Sequence, residues 1–189
     1  MRWSAIGAVA ATLALAACGA GGARHGAHGG GAARVRQLPC HELIDAHPAL
    51  RPGRLVLGVV LLPASPSMRR ALQTARLAPH DSRAGLFAKW GLVVRSGARL
   101  RLIVPHRLAS RFSIGWGNAN EGHRGTTIVV GGCTGPRGAK WLAYAGGYYV
   151  RHPICAPLIV AAHRQRRRVL IGVGKACPGQ RPPLEPTAG

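Results

Sequence analysis

Acidic residues are scarce in this chain. Its 189 residues hold five Asp and Glu against 26 Lys and Arg, for a formal net charge of +21. A paired-carboxylate hydrolase needs two acids flanking one bond. Here the acids are Glu42, Asp45, Asp81, Glu121 and Glu185, scattered along the chain. Aromatics are few as well, with four Trp, three Tyr and two Phe. A stacking platform for bases is therefore poorly supplied. The arginines are spread out rather than interleaved with aromatics, so nucleic acid is not an expected partner. Methionine is limited to Met1 and Met68, which removes the axial ligand from a copper-site reading of Cys155 and His163. No Gly-x-Ser-x-Gly elbow is present to organise Ser113, His123 and Asp81 as a triad. These absences leave no residue to assign as catalytic and no cofactor to expect. They lean the reading toward binding rather than catalysis.

What is present begins at the N-terminus. Arg2 precedes an apolar run from Ala5 to Ala17, shorter than the ~20 residues a membrane span needs. A charge, a short apolar core and small residues before a cut site make a secretory signal. The run closes as Leu15-Ala16-Ala17-Cys18, which resembles the bacterial lipobox. That resemblance implies removal of residues 1–17, a diacylglycerol on the Cys18 thiol and usually an acyl group on the new amine. Each buried methylene contributes roughly 0.8 kcal/mol, and stable anchoring takes two chains. The expected location is the cell membrane, lipid-anchored on its extracytoplasmic face. Residues 18–33 then form the lipidated cysteine and a Gly-rich flexible tether.

Four cysteines remain: Cys40, Cys133, Cys155 and Cys177. An even number in an exported chain reads as two disulfides, with three possible pairings. The C-terminal region favours Cys155–Cys177. Leu158, Val160 and Ala162 form one apolar stripe, and Val169, Ile171 and Val173 form another. A basic turn, His163 to Arg168, separates them. A turn centred near Arg166 sets Cys155 opposite Cys177, at a separation a disulfide can span. Cys40–Cys133 is then the remainder. Cys40 also heads the densest set of ligand-type side chains, with His41, Asp45 and His47. At helical spacing His41 and Asp45 would share a face. No CxxC or HExxH spacing is present. These three residues are weak metal candidates beside the simpler reading of a capped turn tied down by a disulfide.

The rest of the chain reads as short strands. Leu55 to Leu62 is a β-branched apolar run of strand length. Pro63 to Gly85 reads either as a long surface loop or as a loop with one or two helical turns between Met68 and Leu77. Ser96-Gly97 between Phe87–Arg95 and Ala98–Val104 is a hairpin signal. Within the second run Leu100, Leu102 and Val104 alternate with Arg99 and Arg101, which sends the guanidinium groups to solvent. Arg111–Trp116 and Thr126–Val130 are further strands. Between them lies a polar loop whose Asn118, Asn120, Glu121 and His123 suit a polar ligand. Trp141 to Val150 is interrupted by Gly146-Gly147, a bulge or bend. Short strands at regular spacing without a long amphipathic helix predict an all-β fold. The expected architecture is an immunoglobulin-like antiparallel β-sandwich over 34–177, followed by a disordered tail over 178–189.

The layout from Lys89 to Cys177 is similar to a group of secreted actinobacterial proteins. The residues that carry this are Trp116-Gly117-Asn118, Cys133, Trp141, Gly146 to Val150, Cys155 and Gly172 to Cys177. The resemblance implies fold and export, without a mechanism. The functional expectation is a binding or scaffolding module at an anionic membrane or cell-wall surface. Its membrane partner is reached through the Cys18 lipid. Arg164, Arg166, Arg167 and Arg168 of the basic turn are the candidate contacts with anionic lipids or cell-wall polyanions. The alternatives are a secreted hydrolase using the 63–85 or 117–124 loops, and a metal-binding lipoprotein.

Overall fold

The computed structural model describes residues 34–50, 52–78, 85–117 and 124–184. Cys18, the signal segment and the tether lie outside the described residues, as do Asn118, Asn120, Glu121 and His123. The described chain is an all-β sandwich, as the alternating runs lead one to expect. Its strands pair antiparallel except Val35–Gln37, which runs parallel to residues 127–129. Its first part holds β1 (Val35–Gln37), a 3-10 turn at Cys40–Glu42, β2 (Arg54–Val56), β3 (Val60–Leu62), β4 (Ala64–Ser65) and β5 (Ala75–Arg76). The middle holds β6 (Leu86–Lys89), β7 (Leu92–Arg95), β8 (Arg99–Ile103), β9 (Phe112–Trp116), β10 (Arg124–Gly125) and β11 (Thr127–Gly131). Then come β12 (Trp141–Tyr144), β13 (Gly146–Val150), β14 (Ile154–Ala162) and β15 (Gln165–Val173).

One layer is a six-stranded sheet in the order β1-β11-β8-β14-β15-β4. Facing it are a five-stranded sheet, β10-β9-β13-β6-β5, and a four-stranded sheet, β12-β7-β3-β2. These two are halves of one bent ribbon. Trp141 pairs with Arg95 and Tyr144 with Leu92, while Gly147 pairs with Lys89 in the same register. The bend falls at Trp90-Gly91 and Ala145-Gly146, where the Trp90 amide still donates to the Gly146 carbonyl at 2.9 Å. Glycine is required there. Gly146 has φ +145°, and a Cβ on it would collide with the Gly115 carbonyl. Any side chain larger than hydrogen would push the two strands apart.

Between the layers lies one apolar core. Leu100, Leu102, Ile128, Val130, Leu158, Val160, Val169 and Ile171 enter from the six-stranded sheet. Val60, Leu92, Val94, Leu142, Ile114, Trp116, Tyr144 and Tyr148 enter from the other layer. The Trp116 indole meets the Tyr148 ring edge-on at 5.5 Å and donates from Nε1 to the Trp90 carbonyl at 2.8 Å. The largest ring in the core is thus tied to the bend.

Several expectations are corrected. Leu55 to Leu62 is a tight hairpin rather than one strand, because Leu57 and Gly58 take φ of +50° and +70° and reverse the chain. Ser96-Gly97 does not join a hairpin. It carries the chain from β7 in one layer to β8 in the other. Met68 to Leu77 forms no helical turn and runs extended, with Leu72 bridging Val173. The chain beyond Cys177 is ordered for several residues where a disordered tail is expected. Arg181 bridges Arg70, its amide donating to the Arg69 carbonyl at 2.8 Å, and Gln180 Nε2 reaches the Arg70 carbonyl at 3.3 Å. Prolines lack an N–H but keep an acceptor, and Pro178 and Pro182 accept from Ser65 Oγ and Arg70. Residues 185–189 lie outside the described residues.

Both disulfides are present as paired above, Cys40–Cys133 with Cα atoms 5.2 Å apart and Cys155–Cys177 at 5.1 Å. The reason for the second differs from the expected one. The turn sits at His163-Arg164, so Cys155 faces Gly172. Cys177 arrives by a reversal after Val173, where Gly174 takes φ +67°.

Candidate anion-binding site

The last hairpin turns at His163 and Arg164, with φ of +49° and +61°. Positive φ at both central residues is the type I′ geometry whose twist matches antiparallel strands. The sequence supplies neither Asn nor Gly there, so His163 and Arg164 hold a backbone shape that costs side-chain-bearing residues energy. The tight turn sets the register: Ala162 faces Gln165, Ala161 faces Arg166, Val160 faces Arg167 and Ile159 faces Arg168. Of the four arginines expected in one basic turn, Arg164 occupies the turn and the other three are on β15. Arg166 and Arg168 share the outer face of the sheet. Arg167 lies opposite the buried Val160, on the other face near the hairpin tip.

The outer face gains more charge from a strand distant in sequence. On β8, Leu100 and Leu102 are buried while Arg99 and Arg101 are exposed. Strand β8 lies between β11 and β14, so Arg101 faces Val129 on one side and Ala161 on the other. The row Val129-Arg101-Ala161-Arg166 crosses four strands. One row nearer the hairpin tip, Arg99 faces Gly131. One row further away, Ile103, Ile159 and Arg168 follow. Side chains around Ala161 and Gly131 enclose a shallow groove of about 400 Å³. It is lined by Arg99, Arg101, Arg164, Arg166 and His163, and among the described residues none that line it is acidic. The floor is open at Ala161, between two arginines, while the Gln37 amide lies over Gly131 beside Arg99. Arginine presents paired N–H groups suited to phosphate or carboxylate.

The weak metal candidates are not gathered. The 3-10 turn ends at Glu42, so His41 and Asp45 share no helical face. His41 is exposed, with Nε2 4.0 Å from the buried Glu42 carboxylate. Asp45 instead accepts the His47 amide at 2.8 Å and bridges Ala143 in β12. Among the described residues no group of three or more His, Cys, Asp or Glu is placed to hold a metal ion. Asp45 belongs to a strap that crosses the outer face of the four-stranded sheet. Beneath it is a cleft of about 630 Å³ with Leu61, Val93 and Ala143 as floor and Trp90 as wall.

Of the Ser113, His123 and Asp81 triple, only Ser113 is among the described residues, and its hydroxyl accepts Arg124 Nε at 2.8 Å. Arg124 also stacks over Tyr149, its guanidinium carbon 4.8 Å from the ring centre. The 63–85 loop is partly sheet, with β4 paired to β15 and β5 to β6. No helix among the described residues is long and apolar enough to cross a membrane.

Arg99, Arg101 and Gly131 are the residues that sequence reasoning did not assign to the site. The alternation of β8 shows that its arginines face solvent. It carries no sign that β8 lies next to the last hairpin. Comparison with protein-family models, curated proteins and solved structures finds no match to this chain.

Proposed function

We propose that this chain is a lipid-anchored extracytoplasmic β-sandwich that binds or scaffolds anionic material at the membrane or cell-wall surface. The anchor part rests on the lipobox-like Leu15 to Cys18. The observation that carries the binding part is the outer face of the six-stranded sheet, where Arg99, Arg101, Arg166 and Arg168 are exposed together. A second feature supports it. Arg164 stands at φ +61° in a turn that glycine or asparagine would accept with less strain. A cation there contributes to a common field with its neighbours. Near an anionic leaflet each Arg contributes about 1 kcal/mol, fading within a Debye length.

Two measurements test the reading. Intact mass of the detergent-extracted protein should fall short by residues 1–17 and exceed the remainder by at least two acyl groups. An unmodified Cys18 would remove the anchor. The full chain carrying Cys18→Ala should be retained on vesicles rich in anionic lipid, or on immobilised polyanion, at low salt and released as salt rises. Equal retention on neutral vesicles, or indifference to salt, would overturn the anionic-surface reading.

A further inference from the structure

We infer that the groove over Ala161 is a site for a phosphodiester-linked polymer without bases, such as a chain of polyol or sugar phosphates. This rests on the anionic-surface reading above and names the ligand class for it. The argument begins with spacing. Strands lie about 4.8 Å apart, so the Cα atoms of Arg101 and Arg166 stand roughly 10 Å apart across Ala161. Ala161 ends at Cβ, so its position on the floor is open and both guanidinium groups can close on one phosphate seated there. Residues two apart along a strand are about 7 Å apart. Arg99 and Arg164 therefore offer a second phosphate position one row on, beside the Gln37 amide that covers Gly131.

Two positions one row apart select the linkage. Neighbouring phosphates of a pyrophosphate share an oxygen and sit too close together to occupy both rows. Phosphates bridged by a sugar or a short polyol span a row. The shape of the site selects against a bilayer. A headgroup plane rests on the projecting arginine side chains of this face, whereas a groove floored by Ala161 admits a single chain. The lining selects against nucleic acid, since among the described residues it holds no Phe, Tyr or Trp on which bases could stack. Arg168, one row beyond Arg166, extends the basic track for a longer polymer.

The test uses the detergent-extracted full chain and dye-labelled poly(glycerol phosphate), read by fluorescence anisotropy. Arg101→Gln with Arg166→Gln should weaken binding about tenfold or more, since two charge-assisted contacts are lost. Ala161→Ile should weaken it comparably with no change in charge, because it fills the floor. Arg76→Gln with Arg151→Gln removes the same charge away from the groove and should change binding less than about twofold. All of these substitutions lie on solvent-facing positions or the half-buried outer floor, and unchanged denaturation midpoints verify that each variant folds. Equal losses from the two double variants, or no loss from Ala161→Ile, would overturn the groove. So would oligo-dT or poly-glutamate binding as tightly as poly(glycerol phosphate). If the protein still binds anionic vesicles in those cases, the anionic-surface reading stands and the groove assignment alone falls. If it binds none of the probes, both fall.

Discussion

Tyr148 has no exposed surface, and its hydroxyl has no hydrogen-bond partner among the described residues, as is also true of Tyr144. Burial raises both phenol pKa values above the usual 10.0, Tyr148 the further. A buried unpaired hydroxyl costs about 1–3 kcal/mol. Tyr148→Phe keeps the ring against Trp116 and Phe112 and removes that cost. It should raise unfolding free energy by about 1 kcal/mol in a denaturant titration; a loss of stability would mean that the hydroxyl is satisfied in solution. The pH dependence follows from the direction of the shift. Both phenols ionise more readily in the unfolded chain, so the stability they contribute is complete below pH 10 and falls as pH rises above it. Tyrosinate absorbance from these two rings should appear together with unfolding and not before. At the candidate site, the exposure of Arg99 and Arg101 was readable in the sequence. Their service to the same groove as Arg166 was not, because solvent exposure carries no information about neighbours.

The elements show where chain reversals are decided. In the last hairpin the two apolar stripes were legible, and the turn was placed about two residues late. Six polar residues between the stripes allow several registers, and the pairing extends through Gln165 and Arg166 up to His163-Arg164. Replacing Arg164 by Gly relieves a positive φ and should stabilise the fold by about 1 kcal/mol while weakening retention on anionic surfaces. A variant that gains stability and keeps full retention would remove Arg164 from the binding surface. The bend is the opposite case. Gly146→Ala puts a methyl against the Gly115 carbonyl at φ +145°. It should cost about 3 kcal/mol in thermal or denaturant unfolding. A cost within experimental error would mean that the two halves of the ribbon are not held in one register. Ser96-Gly97 has the same composition as a hairpin turn, yet it joins two layers. Turn chemistry specifies a reversal, and only the partners on either side specify whether the flanking strands pair.

Across the whole molecule the disulfides close loops of 93 and 22 residues. Chain entropy alone gives them about 4–5 and about 3 kcal/mol. Cys40→Ala with Cys133→Ala should therefore lower stability more than Cys155→Ala with Cys177→Ala. The reverse order would show that native-state contacts around the second bridge outweigh loop length. The sequence by itself determined the all-β class, the two disulfides and the excess of one charge sign, and it carries the lipobox-like stretch Leu15 to Cys18. Each of these is written locally, in periodicity two, in cysteine count, in composition or in four consecutive residues. Tertiary structure alone decided that β8 lies beside β14, that the second layer is one bent ribbon and that residues 178–182 dock on the 69–72 segment. It also decided that arginines some 65 positions apart flank Ala161. These follow from which strand edges meet, and strand pairing is a non-local choice. Several apolar runs of similar length and pattern are interchangeable until the core packs and their register is set.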